Sequence, residues 1–298
     1  MKIFDCTLYY DEDLILDARL NILDPYIDKF IICEALFSHS GRKKELNFDI
    51  NKFSKFKDKI IYIVQETEPK DIIYQDNSQK IEDPLNWRAN AVKRIAHQRN
   101  KLLEEVNKHA NEDDYILYSD NDEIPNLDLH NIRNEKSKII IFEQDLYYYK
   151  FNLLCDRIKW YGTRAIKKKN LIDFEWLRQI KPKKYSFYRI DTLVKKDKYI
   201  NLRILNNGGW HFTRVISPEE IHKKELDAEH HDEYRASNKN PERIKDLIKR
   251  RMIDHDHLAD SREDKYGKEF ALKQLTLDKM PLYIKDNADK YKEFLDLD

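Results

Sequence analysis

Tyr115-Ile116-Leu117-Tyr118-Ser119-Asp120-Asn121-Asp122-Glu123-Ile124-Pro125 holds the sharpest change of character in the chain. Four β-forming apolar residues, enough for a buried strand, break at Ser119 into an acidic turn that Pro125 closes. A strand ending this way sets hard oxygen donors at the carboxyl edge of a sheet, where open α/β sheets bind their ligands. Such donors suit Mg²⁺ or Mn²⁺. Asp-x-Asp occurs at Asp11/Asp13, Asp120/Asp122, Asp254/Asp256 and Asp296/Asp298, and only the second follows an apolar strand. The plain alternative for that turn is a solvated acidic loop.

Upstream, Asn86–Ala110 carries the strongest helical pattern, with Val92, Ile95, Ala96, Leu102, Leu103 and Val106 spaced along one face. Arg88, Arg94, Gln98 and Lys101 fall on the other, with Arg99 and Asn100 at its flank. That side is either solvated or turned towards a phosphate. Lys2–Tyr10 is expected as a strand, Asp11–Leu23 as a helix stopped by Asp24-Pro25, and Ile27–Ala35 and Lys59–Val64 as further strands. This order points to a parallel, doubly wound sheet. Residues 65–85, polar and with Pro69 and Pro84, are expected to form a mobile loop.

Downstream, a short helix is expected from Asn126 and a strand at Lys138–Phe142. Glu143, Asp145 and the run Tyr147-Tyr148-Tyr149 follow. Trp160-Tyr161-Gly162 and Phe174-Glu175-Trp176 add aromatic groups that suit either sugar faces or core packing. Gly208-Gly209 before Trp210-His211 implies a close backbone approach that aims His211 at a fixed point. Ser217-Pro218-Glu219-Glu220 starts a helix. Residues 236–298 look helical and charged. His230-His231-Asp232 and Asp254-His255-Asp256-His257 lack ligand spacing on one helix face and are expected at the surface.

The chain has 298 residues, 41% of them hydrophobic and 37% charged, with 55 Lys+Arg against 55 Asp+Glu. That neutrality argues against a nucleic-acid binder. Three scattered cysteines, Cys6, Cys33 and Cys155, look like buried thiols of a reducing compartment rather than a disulfide framework. With no signal-peptide pattern and no apolar run of about 18 residues, a soluble, cytoplasmic protein without a transmembrane segment is expected. Five glycines leave no glycine-rich phosphate loop.

Taken together, several stretches resemble glycosyltransferase family 17, the β-1,4-mannosyl-glycoprotein β-1,4-N-acetylglucosaminyltransferases. They are Phe4-Asp5-Cys6, Asp17–Pro25, Asp28–Glu34, Ser40–Lys43, Gln98-Arg99-Asn100, Ser119–Pro125, Tyr148-Tyr149, Trp160-Tyr161-Gly162, Gly209-Trp210-His211, and Ile221 with Lys224. The resemblance covers roughly residues 2–235. It implies a GT-A-type, mostly parallel sheet flanked by helices over 1–235; the residues of 236–298 are themselves expected to form a helical C-terminal extension packed on it. It further implies inverting transfer, with N-acetylglucosamine from UDP-N-acetylglucosamine as the expected donor sugar; the family's acceptor does not carry over, and a glycan or other hydroxyl compound is expected in its place. The family's His-x-Glu is displaced by one residue here, at His231/Glu233.

Such a transfer needs a divalent cation on the diphosphate, for which Asp120, Asp122 and His211 are the expected ligands. It needs a grip on the donor, expected from Glu34, Arg42, Arg99, Asn100, Asp120 and Trp210. It also needs a general base. Glu175, flanked by Phe174 and Trp176, is the first candidate, followed by Asp145, Glu143 and Asp173. Two alternatives stand beside this expectation: a sugar nucleotidylyltransferase, and a non-catalytic carbohydrate-binding protein on the same fold.

Overall fold

The computed structural model describes residues 1–76, 78–183, 201–237, 239–259 and 266–297. The chain opens with β1 (Ile3–Tyr9), α1 (Asp13–Leu23), β2 (Lys29–Ala35) and β3 (Ile60–Gln65), each close to its predicted bounds. Where a loop was expected, β4 (Tyr74–Asp76) and β5 (Ile81–Glu82) form a small hairpin, followed by α2 (Trp87–His109). Then come β6 (Tyr115–Tyr118), β7 (Glu123–Pro125), β8 (Ile139–Phe142), β9 (Gln144–Tyr148), β10 (Leu153–Trp160), β11 (Arg164–Lys167) and α3 (Phe174–Gln179). The last third supplies β12 (Leu202–Leu205), β13 (Gly209–Thr213), α4 (Pro218–Glu225), α5 (His231–Ala236), α6 (Pro241–Lys249), β14 (Met252–His255), β15 (Tyr266–Ala271), β16 (Lys273–Gln274) and α7 (Leu282–Asp286).

Seven strands form the main sheet in the order β12-β8-β11-β6-β1-β2-β3. All its pairings are parallel except the two made by β11. Because both faces are covered, the strands are continuous apolar runs. One face packs on α1 through Leu16, Leu20 and Phe30. The other packs on α2 and α3 through Ile31, Leu102 and Phe174. Successive strands run from β1 outward to β3, and the chain then returns to lay β6 on the other side of β1. That reversal is the topological switch point, where such sheets bind ligands.

A second sheet, β16-β10-β9-β13-β7, stands beside this edge. The end of the acidic turn is therefore a strand, with Gly209 facing Pro125, and the short helix expected from Asn126 is instead a turn followed by a 3-10 helix at Ile132–Asn134. Gly209 has φ of +131°, and a Cβ there would lie 2.1 Å from the Ile124 carbonyl oxygen, so only glycine lets β13 close on β7.

Two further expectations change. The polar side of α2 is not solvated: Asn90 brackets the backbone of Ile73 at 2.9 Å in both directions, and Arg94 pairs with Glu68 and Glu82. The 65–85 segment thus covers that side, while Val92 is exposed. The stretch from 236 holds strands as well as helices. It is also woven into the rest: β16 pairs with β10, and Tyr291 and Ile284 are fully buried in the α1-side core. Of the two readings open for Tyr147, Tyr148 and Tyr149, core packing is the one observed, since all three are buried.

Candidate active site

The carboxyl ends of β1, β2 and β6 enclose a cleft of about 230 Å³. Tyr9 and Tyr10 come to it from β1, Phe37 and His39 from beyond β2, Gln98 from α2, and Asp120, Asn121 and Asp122 from the turn after β6. α4 closes the far side. Ser217 and Glu220 cap each other's backbone N–H groups at 3.0 and 3.3 Å, which fixes the helix and delivers Lys224 from its last turn into the cleft.

The acidic turn is held from behind by Arg19, which is fully buried on α1. Its guanidinium donates to both Asp5 oxygens at 2.7 and 2.8 Å, and to the Ser119 hydroxyl at 2.7 Å. It also donates to the carbonyls of Asp120, Asn121 and Glu123 at 3.1, 3.2 and 2.9 Å. Lysine offers no such fork. Below the turn, Glu123 is wholly inside, accepting from Trp160 Nε1 at 2.6 Å and from Arg178 at 2.8 and 2.9 Å. Gly162 leaves the room for this, since a Cβ there would lie 2.4 Å from the Glu123 carboxyl carbon.

Asp122 Oδ2 lies 3.3 Å from His211 Nε2, and the Trp160 ring packs on the imidazole with centroids 4.7 Å apart. Burial works to raise the Asp122 carboxyl, but His211 outweighs it and holds the group below the usual carboxylate range. Reciprocally, burial disfavours the charged imidazole while Asp122 more than offsets this. Asp120 faces the other way. It takes Arg178 Nη2 at 2.9 Å and has Arg99 at 3.8 Å. Against the burial that would raise it, Arg178 and Arg99 lead the charges that hold it down to about 2.

Two polar groups here lack a protein partner among the described residues: both amide atoms of Asn121, and Nδ1 of His211. Buried polar atoms without partners are expensive in free energy, and those of Asn121 border the cleft, where a bound molecule would satisfy them. No three His, Cys, Asp or Glu side chains among the described residues make a metal cage by themselves. The Asp122–His211 pair nonetheless fits Mg²⁺ or Mn²⁺, which bind through few side chains and take their other ligands from phosphate and water.

Several expected residues are engaged elsewhere. Glu34 is fully buried under Lys44, the Asn47 and Phe48 N–H groups and the Tyr62 hydroxyl, so it shapes the loop after β2 and is closed to a ligand. Arg42 pairs with Asp227 at the rim. Asn100 is exposed on α2, outside the cleft lining. Trp210 follows the two-residue alternation of β13 to the face opposite His211, and its cross-strand neighbour Asp145 pairs with Lys159. Asp173 caps α3 by accepting from Trp176 N at 2.7 Å. Glu175 pairs with Arg99 at 2.6 Å and Gln179 at 2.8 Å, not with Arg178. Glu143 accepts from the Tyr161 hydroxyl at 2.9 Å. It lies two residues beyond Ile141, whose register through Arg164 matches Tyr118, so it shares the sheet edge with Asp120.

The sequence reading had no role for Arg19 or Arg178 in the site. Their signals were faint: a charged residue among the buried positions of α1, matched by an acid inside the apolar β1. His257 was expected at the surface, but it contacts the Tyr148 hydroxyl and lies 6.3 Å, ring to ring, from Trp160. Burial first, then His255, lowers its pKa to about 3. Nothing local in the sequence signals that contact.

A parallel sheet whose switch point opens on paired carboxylates, an imidazole and a lysine is the plan of a group-transferring α/β enzyme. The chain belongs to glycosyltransferase family 17, whose family model matches residues 1–296, and it is a glycosyltransferase. No curated protein matches it. Among solved structures it is similar to the inositol-1-phosphate CTP transferase from T. maritima, at 9% identity over 74% of this chain and 94% of that one, with a TM-score of 0.33. No helix among the described residues is long and apolar enough to cross a membrane.

Proposed function

We propose that the protein transfers N-acetylglucosamine from UDP-N-acetylglucosamine to a glycan or other hydroxyl acceptor, with inversion and with a divalent cation. The observation that carries this reading is the juxtaposition, at one switch-point cleft, of Asp122 with His211, the partnerless Asn121 amide and Lys224. Asp122 and His211 hold the cation, which neutralises the diphosphate leaving group. Lys224, paired with Glu12 on the opposite wall, adds positive charge to the same cleft. Asp120 keeps Arg178 and Arg99 charged and in place beside it. The acceptor oxygen bonds to the anomeric carbon as the bond to the diphosphate oxygen breaks, and the acceptor proton passes to a carboxylate. Of the four acids considered, Glu143 is favoured for that role: it shares the sheet edge with Asp120 and bonds only the neutral Tyr161 hydroxyl, whereas Asp145, Asp173 and Glu175 are taken by Lys159, the α3 cap and Arg99.

A thermal-shift panel of UDP, GDP and CMP sugars, with and without Mn²⁺, tests the donor and the metal together. UDP sugars should raise the melting temperature only with the cation, and UDP-N-acetylglucosamine at the lowest concentration. A preference for a GDP or CMP sugar would replace the donor, and metal-independent protection would remove the cation from the mechanism.

A further inference from the structure

The second sheet has another face. Strand alternation turns His211 towards the acidic turn and Trp210 away from it. On that far side Trp210 lines a groove of about 450 Å³ together with Tyr26 just past α1, Asn126 and Asp128 beyond β7, and Tyr283 and Asp286 of α7. We propose that this groove binds a neutral oligosaccharide, as an anchoring site separate from the reaction centre.

The chemistry of the lining selects that ligand. Tyr26, Trp210 and Tyr283 give the groove an aromatic lining that suits sugar C–H surfaces, and amide and carboxylate groups beside them suit vicinal hydroxyls. No Lys, Arg or His is among the described lining residues, whereas Asp128 and Asp286 are. Two carboxylates disfavour phosphates, nucleotides and acidic sugars there, since the neighbouring cation, Lys290 over the Tyr283 ring at 6.0 Å, is already paired with Asp17. Open polar atoms remain. Asp128 Oδ1 takes the Tyr26 hydroxyl at 2.8 Å, which leaves its other oxygen, and Asn126 Oδ1 takes Leu129 N at 3.1 Å, which leaves its amide N–H groups. Asp286 is exposed, and its side chain makes no hydrogen bond or ion pair with the described residues. The volume falls within the roughly 300–1,000 Å³ of small-ligand sites. Since the groove is on the reverse of the strand that carries His211, a sugar held there is a remote part of an acceptor or product chain, not the reacting unit. The inference uses the family membership of the chain and is independent of which donor it takes.

The test labels the full chain with 5-fluorotryptophan. Its four tryptophans give four ¹⁹F signals, with Trp210→Phe assigning one and Trp160→Phe another. Cellotetraose, mannotetraose and chitotetraose are titrated to about 20 mM, enough to saturate a millimolar site. UDP with Mn²⁺ forms a separate arm that reads Trp160 beside His211. At least one tetrasaccharide should shift the Trp210 signal saturably while UDP with Mn²⁺ leaves it in place. Asp286→Ala, at an exposed position without partners, should weaken that binding about tenfold. The proposal is overturned if none of the three moves Trp210, or if a tetrasaccharide moves Trp160 alone. A silent UDP arm beside a responding Trp210 would count against the donor assignment and not against the groove.

Discussion

Asp122 and His211 form the most consequential pair of residues in the cleft. Neither side chain contributes to a hydrophobic cluster, so Asp122→Ala should abolish turnover and Mn²⁺-dependent UDP binding while leaving the melting temperature nearly unchanged. His211→Asn should weaken the Mn²⁺ dependence more than stability. Equal losses of both would make His211 a packing residue against Trp160. The acids around them divide by what already holds them. Glu143→Gln should lower kcat by about 10²–10⁴-fold, the usual reach of general-base catalysis, with UDP-sugar binding intact. Glu175→Gln should stay within about tenfold of the parent, because its carboxylate is committed to Arg99 and Gln179. A loss of several orders of magnitude in the second variant and not the first would return the base to Glu175.

Among the elements, α1 shows how a helix on the covered side of the sheet shapes chemistry on the edge. Its apolar positions Leu16, Leu20 and Leu23 pack it against the sheet, and that packing threads Arg19 between Asp5 and the acidic turn. A buried pair of this kind adds little net stability, yet removing one partner costs about 3–5 kcal/mol. The start of α1 carries a burden of its own. Burial first, then the charge of Glu12, raises Asp11 to about 6 from its ordinary 3.8. The folded state therefore holds the extra proton between pH 3.8 and 6, and stability falls as pH rises through that window. Asp11→Asn should raise stability at pH 7 by about 1–2 kcal/mol, allowing for the group's partial exposure, and by nothing near pH 3. Urea midpoints at the two pH values measure the difference; equal gains would mean that the charge is not the cause.

At the scale of the molecule, the C-terminal stretch and the sheet share one core. Ile284 and Tyr291 are fully buried beside α1, Tyr291 donates to Asp17 at 2.6 Å, and Phe151 N bonds the Phe294 carbonyl at 2.9 Å. A chain ended after residue 235 should therefore lose cooperative thermal unfolding and expose apolar surface to a hydrophobic dye. A sharp transition near the parent temperature would show instead that the first 235 residues fold alone.

What the sequence determined by itself was whatever depends on neighbours along the chain. Apolar runs set β1, β2, β3, β6 and β8; the 3.6-residue period set α2; Ser217 and Pro218 set the start of α4; and the break at Ser119 marked the carboxyl edge of β6. Gly208-Gly209 likewise announced the close approach of two backbones. Only the tertiary structure decided which polar residues those elements would use on each other. Arg94 and Glu34 look free in sequence and are spent on Glu82 and Lys44. Arg19 and Arg178, which have no role in the site from sequence alone, brace the acidic turn. Trp210 and His211 are adjacent in sequence but part to opposite faces of β13, a division that only strand pairing can make. Ion pairs join residues whose separation along the chain is unrelated to their distance in space, so no local pattern encodes them.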